Sequence, residues 1–237
     1  MSFQFFYISL FRFSAPSRMD PNAITSENYE RLLDAIIPII TSRGLKATTM
    51  DYVASTLGMS KRTLYEIFDS KEEMLKQAIV FHHKRTIKKI IRIFKTAPTV
   101  MEALFDAFVM QRDLMKGISP LFFQDMDTTY AHLQPTYKSS SKEWMNNLLE
   151  VIQEGIRQEV FLSDVNYPIL LKMLAVQMES LKRMEEFLPS DITIVDALDT
   201  VMISFLRSIA SPKGSQLLEK IRKADLERKE ITQKYNY

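Results

Sequence analysis

Residues Thr48 to Met74 read TTMDYVASTLGMSKRTLYEIFDSKEEM. On either side of Gly58, the apolar residues Val53, Leu57, Met59, Leu64 and Ile67 recur at helical spacing, so all of them can face one small core that Phe68 closes. Ala54 is small enough to let two helices cross closely, and Gly58 can take the left-handed backbone that turns the chain between them. That spacing predicts a helix-turn-helix. With its apolar face committed inward, the second helix must turn Lys61, Arg62, Thr63 and Tyr65 elsewhere. Two readings of that outward set stand. It is the solvated basic end of an ordinary helical hairpin, or it is a face that reads base edges in a major groove. Cations at a helix start oppose the helix dipole, which favours an external anion such as phosphate.

Upstream, SENYERLLDAIIPIITSRG repeats Tyr29, Leu32, Leu33, Ile36, Ile37 and Ile40 at three and four, with Ser26 placed to cap the start and Gly44 the end. A first helix is predicted over this run; Pro38 lies inside it and deletes one backbone hydrogen bond, which puts the helix at risk of a kink or an early end near Ile37. Downstream, Ser70 and Glu73 have capping-box spacing, and a long helix is predicted from there to about Phe94. Further helices are predicted over Val100 to Lys116, Leu121 to Leu133, Ser140 to Val160, Tyr167 to Phe187 and Asp191 to Ile209. Gly214 to about Thr232 reads as a peripheral or frayed helix with a thin apolar stripe.

The totals agree with a helical protein. The 237 residues contain only 5 glycines, too few for a repeated-turn β architecture, and 46% hydrophobic content can bury a real core. Without cysteine there are no disulfides and no thiolate chemistry, which fits a reducing compartment and a cytoplasmic location. A net charge of +2 is too mild to argue for nucleic acid by itself, so the local pattern must carry that argument. No Gly-rich phosphate loop, nucleophile elbow or His-Glu metal signature is present, so no catalytic apparatus is visible. The opening MSFQFFYISLFRF is interrupted by Arg12 and far short of a membrane span. It reads as an upstream start ahead of Met19, a disordered or partner-packed tail, or a targeting segment.

The segment from Thr48 to Met74 resembles the DNA-binding signature of the tetracycline-repressor-like (TetR) family of transcriptional regulators. The resembling residues are the Thr before the second helix, Ala and Gly at the turn, Ser-Lys, Thr-Leu-Tyr, Phe68, and Ser-Lys-Glu opening the fourth helix. The resemblance extends over about Tyr29 to Ile79, roughly a fifth of the chain. It implies an all-α fold, in which an N-terminal three-helix DNA-binding domain with a helix-turn-helix is joined by a long helix to a larger helical effector-binding and dimerisation domain. The implied boundaries are a tail over 1–23, the reading domain over 24–72, the ligand and dimer domain over 73–211, and a peripheral helix over 212–237.

The resemblance also implies roles. Thr49, Ser60, Lys61, Arg62, Thr63, Tyr65 and Lys71 would contact double-stranded DNA, with Arg62 suited to guanine and Lys71 to phosphate. The helix-turn-helix core would be Val53, Ala54, Leu57, Gly58, Met59, Leu64 and Phe68. Where the family often carries an aromatic and then His or Tyr, this chain has Glu66 and Ile67, and a carboxylate is a poor neighbour for phosphate. A homodimer is implied, with Leu174, Leu181, Leu198, Val201 and Phe205 on two helices as interface candidates. Phe105, Phe108, Phe122, Phe123, Met126, Tyr130, Trp144, Met145 and Met178 suit an adaptable cavity for a small apolar or amphipathic effector, or are simply core. No cofactor, metal or membrane partner is expected: His82 and His83 point apart on a helix, and His132 with Asp125 or Asp127 has no third ligand nearby. The expected function is a ligand-responsive repressor on a palindromic operator. The rival is a DNA-bound protein without a small-molecule effector, partner-controlled or architectural.

Overall fold

The computed structural model describes residues 26–133, 141–181 and 192–235, with side chains described except at 26, 141–147, 179 and 229–235. The described chain is helical, with a single isolated bridge between Phe161 and Ala210. Its helices are α1 Ser26–Arg43, α2 Met50–Thr56, α3 Lys61–Ile67, α4 Lys71–Thr96 and α5 Val100–Met115. They continue with α6 Pro120–Asp127, a 3-10 turn Ala131–Leu133, α7 Ser141–Arg157, α8 Tyr167–Leu181, α9 Ile194–Ile209 and α10 Pro212–Tyr235. Two compact units result, one from the described parts of Met1–Ile90 and Leu114–Lys138, the other from those of Ile91–Asp113 and Ser139–Tyr237.

In the first unit, Leu33, Ile36 and Ile40 of α1 share a buried core with Val53 and Ala54 of α2, Leu64 of α3, Phe68, and Met74, Leu75 and Ala78 of α4. The rings of Tyr29 and Phe68, 5.9 Å apart, tie the start of α1 to the end of α3. As the capping positions predict, α1 continues through Pro38 to Arg43, without an early end near Ile37. A proline removes only one N–H, and the buried stripe of Ile36, Ile39 and Ile40 spans the position and holds the helix to the core. The helix stops at Gly44, where φ is +83° and the N–H bonds the Ile40 carbonyl at 3.1 Å.

The α2–α3 turn is a Schellman arrangement. Gly58, at φ +65°, donates to Ser55 O at 3.2 Å while Met59 N–H donates to Ala54 O at 2.9 Å, satisfying two orphan carbonyls of α2. Serines cap the next two helices. Ser60 Oγ accepts the Thr63 N–H at 3.0 Å, and Ser70 Oγ accepts the Glu73 N–H at 3.1 Å at the head of α4.

The run predicted as one helix over Leu121 to Leu133 divides into α6 and the 3-10 turn, because Thr128 takes φ −110° and ψ −83°. α6 is fastened to the last turn of α1 and the loop after it: Ser119 N–H donates to Thr41 O at 2.8 Å, and the buried Asp125 accepts the Lys46 N–H at 2.7 Å. A Cβ on Gly44 would come within 3.0 Å of Asp125 Oδ2 and 3.1 Å of Leu121 Cβ, so the close approach also needs glycine.

In the second unit, Met101 and Phe105 of α5, Ile152 of α7, Tyr167 and Leu171 of α8, Phe205, Leu206 and Ile209 of α9 and Leu218 of α10 form the core. Gly214 lets α10 start against Val160, whose carbonyl oxygen lies 1.9 Å from where a Cβ would sit. The tail over residues 1–23 and the segments predicted to extend α8 to Phe187 and begin α9 at Asp191 lie outside the described residues.

Candidate nucleic-acid interface

Leu64 and Phe68 are buried while Lys61, Arg62, Thr63, Tyr65 and Glu66 are exposed, so the inward side of α3 is fully used by the core and five side chains are left outside. Of the expected helix-turn-helix core, Val53, Ala54, Leu64 and Phe68 are buried and Leu57 and Met59 pack partly buried against them. The exposed side chains do not stand alone. Lys61 Nζ lies 2.8 Å from Asp51 of α2, which raises the lysine pKa through a hydrogen bond, and 6.0 Å from the Tyr65 ring centroid. Arg62 Nε donates to Glu66 Oε1 at 2.9 Å, one helical turn on. Ser60 and Thr63 hydroxyls are 2.8 Å apart.

Thr49 caps α2, its Oγ1 accepting the Tyr52 N–H at 3.1 Å. Beside it the Arg43 guanidinium stacks 3.9 Å over the exposed Tyr52 ring, and hydrogen bonds from Arg43 and then Thr56 lower the phenol pKa. Neither Arg43 nor Tyr52 stands out in the sequence as a site residue, although Arg43 is the cation in the last turn of α1. Lys71 Nζ donates to the Lys46 carbonyl at 3.0 Å and lies 5.7 Å from the Tyr130 ring centroid, so it braces the α1–α2 loop as well as facing outward.

The second unit holds a cavity of about 270 Å³ lined by α5, α9 and α10. Its apolar side is Phe105, Phe108, Ile203 and Leu226; its polar side is Arg112, Asp199, Thr200, Ser204, Arg207, Arg222 and Asp225. Arg112 is buried, its side chain only 4% exposed, yet it pairs with Asp225 at 3.0 Å, Asp113 at 3.4 Å and Asp199 at 3.6 Å. Arg207 and Arg222 share Glu219 at 2.8 and 3.1 Å.

This cavity departs from the apolar pocket read from sequence. Phe105 and Phe108 line it, but Phe122, Phe123, Met126 and Tyr130 pack in or against the first unit's core, because α6 folds onto α1. Met178 is buried away from the lining, and the side chains of Trp144 and Met145 lie outside those described. The interface candidates are also redistributed. Leu181, Leu198 and Phe205 are buried within the unit and Leu174 and Val201 are half-buried, because α8 and α9 pack on each other. The apolar face that α8 turns outward is Ile169, Met173 and Val176, at 55 to 66% exposure and spaced by four and three.

His132 Nε2 lies 2.8 Å from Glu72, and Asp125 is engaged by Lys46. Among the described residues no three His, Cys, Asp or Glu side chains are grouped to hold a metal ion, and no helix is long and apolar enough to cross a membrane.

Residues 32–78 match the family model of the bacterial regulatory proteins of the tetR family. The chain is 23% identical over 150 residues to the transcriptional repressor KstR2 of Mycolicibacterium smegmatis, covering 61% of this chain and 73% of the relative. Against KstR2 of Rhodococcus jostii it is 24% identical over 166 residues, covering 67% and 80%. Among solved structures, the KstR2 ketosteroid regulator of Mycobacterium tuberculosis superposes with a TM-score of 0.53 at 18% identity, covering 80% of this chain and 98% of that one. A transcriptional regulator of Cytophaga hutchinsonii does so at 0.59 and 20% identity, covering 78% and 100%; both likenesses bear on the fold. The family-model match over residues 32–78, the motif of α2 and α3 and these repressor relatives together support a transcriptional regulator of the TetR family.

Proposed function

We propose that the protein binds a palindromic operator as a homodimer, with α3 of each protomer in a major groove, and represses until a small molecule enters the second unit's cavity. The observation that carries this reading is the outward set on α3: Lys61, Arg62, Thr63 and Tyr65 exposed on a capped helix whose other side is sealed into the core. In that reading Thr49, Ser60 and Lys71 contact phosphate, and Arg62 presents its terminal NH₂ edge to guanine O6 and N7. One such helix reads a few base pairs; two related by a two-fold axis read a palindrome with half-sites about 34 to 36 Å apart.

The α8 stripe of Ile169, Met173 and Val176 is the surface we assign to the second copy. The effector reading is supported by the cavity of about 270 Å³ and its mixed apolar and charged lining, which suits an amphipathic molecule. α4 runs from the first unit into the second as one helix, so it is the element we propose carries the response. A ligand shifts such an equilibrium only by its differential affinity for the two states, typically about 1 to 3 kcal/mol.

Selection of bound duplexes from a random pool by the full chain, at near-physiological salt, tests the reading. Enrichment of a palindrome is expected; a folded protein that enriches no sequence contradicts it. Val176→Asp should leave the fold intact, shift sedimentation from dimer to monomer, and weaken palindrome binding.

A further inference from the structure

The acid on the reading face is unexplained by phosphate binding. From Thr49 to Lys71 the chain carries Lys61, Arg62 and Lys71 against Asp51, Glu66 and Asp69, so this segment has no net charge with which to attract a polyanion. Glu66 cannot turn away: with Leu64 and Phe68 sealed in the core, it shares the outward side of α3 with Arg62, and its side chain is 59% exposed. Its bond to Arg62 is an exposed i,i+4 pair, and such pairs add too little to helix stability to account for a carboxylate set against phosphate.

We infer that Glu66 is a base-reading residue that accepts a hydrogen bond from the N4 amino group of cytosine, on the base pair next to the guanine read by Arg62. This rests on the proposed operator binding. The chemistry is restrictive: in the major groove a carboxylate finds favourable partners only in exocyclic amino groups, and cytosine N4 is the usual one. The geometry is compatible. Arg62 commits its Nε to Glu66 at 2.9 Å, leaving the terminal NH₂ groups for the two guanine acceptors. The two head groups then sit side by side as an adjacent donor and acceptor, at a separation close to the roughly 3.4 Å between stacked base pairs. Glu66 therefore both orients Arg62 and rejects bases that offer only acceptors.

The test compares duplex selection by the full-length wild type, Glu66→Gln and Glu66→Ala, with thermal denaturation of each. Glu66→Gln keeps an acceptor for Arg62 but adds an amide donor, which suits adenine N6 and N7. The expected result is a palindrome for the wild type and an unchanged half-site spacing for both variants. At one position per half-site, cytosine should give way to adenine in Glu66→Gln and to no preference in Glu66→Ala, with discrimination there falling about tenfold. If the wild type and both folded variants enrich the same palindrome with the same base at every position, Glu66 does not read a base, while operator binding stands. If the wild type enriches no sequence, the operator reading itself fails and takes this role with it.

Discussion

The two units place charge in opposite ways. In the first, the ionic side chains of α3 face outward, Arg62 being 89% exposed, and the buried carboxylate of Asp125 is held by the loop at Lys46, away from the described cavity lining. In the second, Arg112 is drawn into the interior beside a cavity and surrounded by three carboxylates from α5, α9 and α10. Exposed ion pairs break readily and so can be exchanged for an external partner, whereas a buried arginine needs its partners to exist at all. In the proposed function, the first unit presents its exposed ionic groups to DNA and the second receives an effector beside its buried arginine.

That contrast predicts unequal effects for equivalent substitutions. Arg112→Ala should cost about 2 to 3 kcal/mol in chemical denaturation, since it leaves three carboxylates without their shared cation, two of them partly exposed. Adding Asp225→Ala should recover part of that loss, which a double-mutant cycle would read as coupling; purely additive effects would break the distinction between the units.

Next in size is a pH effect on α4. Burial, and then neighbouring His82, push the His83 imidazole from 6.5 down to about 3, so the folded protein holds it neutral while the unfolded chain takes up a proton below 6.5. Stability should therefore fall as pH drops from about 6.5 toward 3. Between pH 7 and 5 the wild type should lose about 2 kcal/mol relative to His83→Gln. Parallel pH profiles for the two proteins would contradict it.

Smaller still, Gly58→Ala should cost about 1 kcal/mol. A Cβ there meets nothing within 4 Å, so the strain is that of φ +65° alone, and thermal denaturation should show it without loss of fold. At the bottom of the scale, Arg62→Ala should change stability by less than about 0.5 kcal/mol, while relaxing preference at a guanine in each half-site. Lys71→Ala, by contrast, should weaken all duplexes alike and flatten the salt dependence. A destabilising Arg62→Ala, or equal losses on selected and random DNA from both variants, would erase the division of roles.

Legibility in the sequence tracks the range of the interactions. The α2–α3 turn was legible because it depends on neighbours: Gly58 for the left-handed residue, Ala54 for the crossing, Ser60 and Ser70 for the caps. The fate of α6 was not, since Asp125 meets Lys46 from 79 residues away and no periodicity reports such a partner. Phe122 and Met126 accordingly read as pocket residues when they are core of the first unit. Helical spacing likewise marked α8 and α9 as apolar without telling which side faces the same chain. Leu181 and Leu198 face inward, and Ile169, Met173 and Val176 outward. The charged cavity was invisible for the same reason, Arg112 and Asp225 being 113 residues apart.

The proposed function stands or falls on α3 reading DNA sequence. The decisive quantity is the equilibrium affinity of the full chain for the selected palindrome and for a scrambled duplex of equal composition, across a range of salt. The palindrome should be preferred by at least about 10³-fold, a preference that persists as salt rises and the scrambled duplex is released. Equal affinities for the two duplexes, with the same salt dependence, would contradict sequence reading by α3.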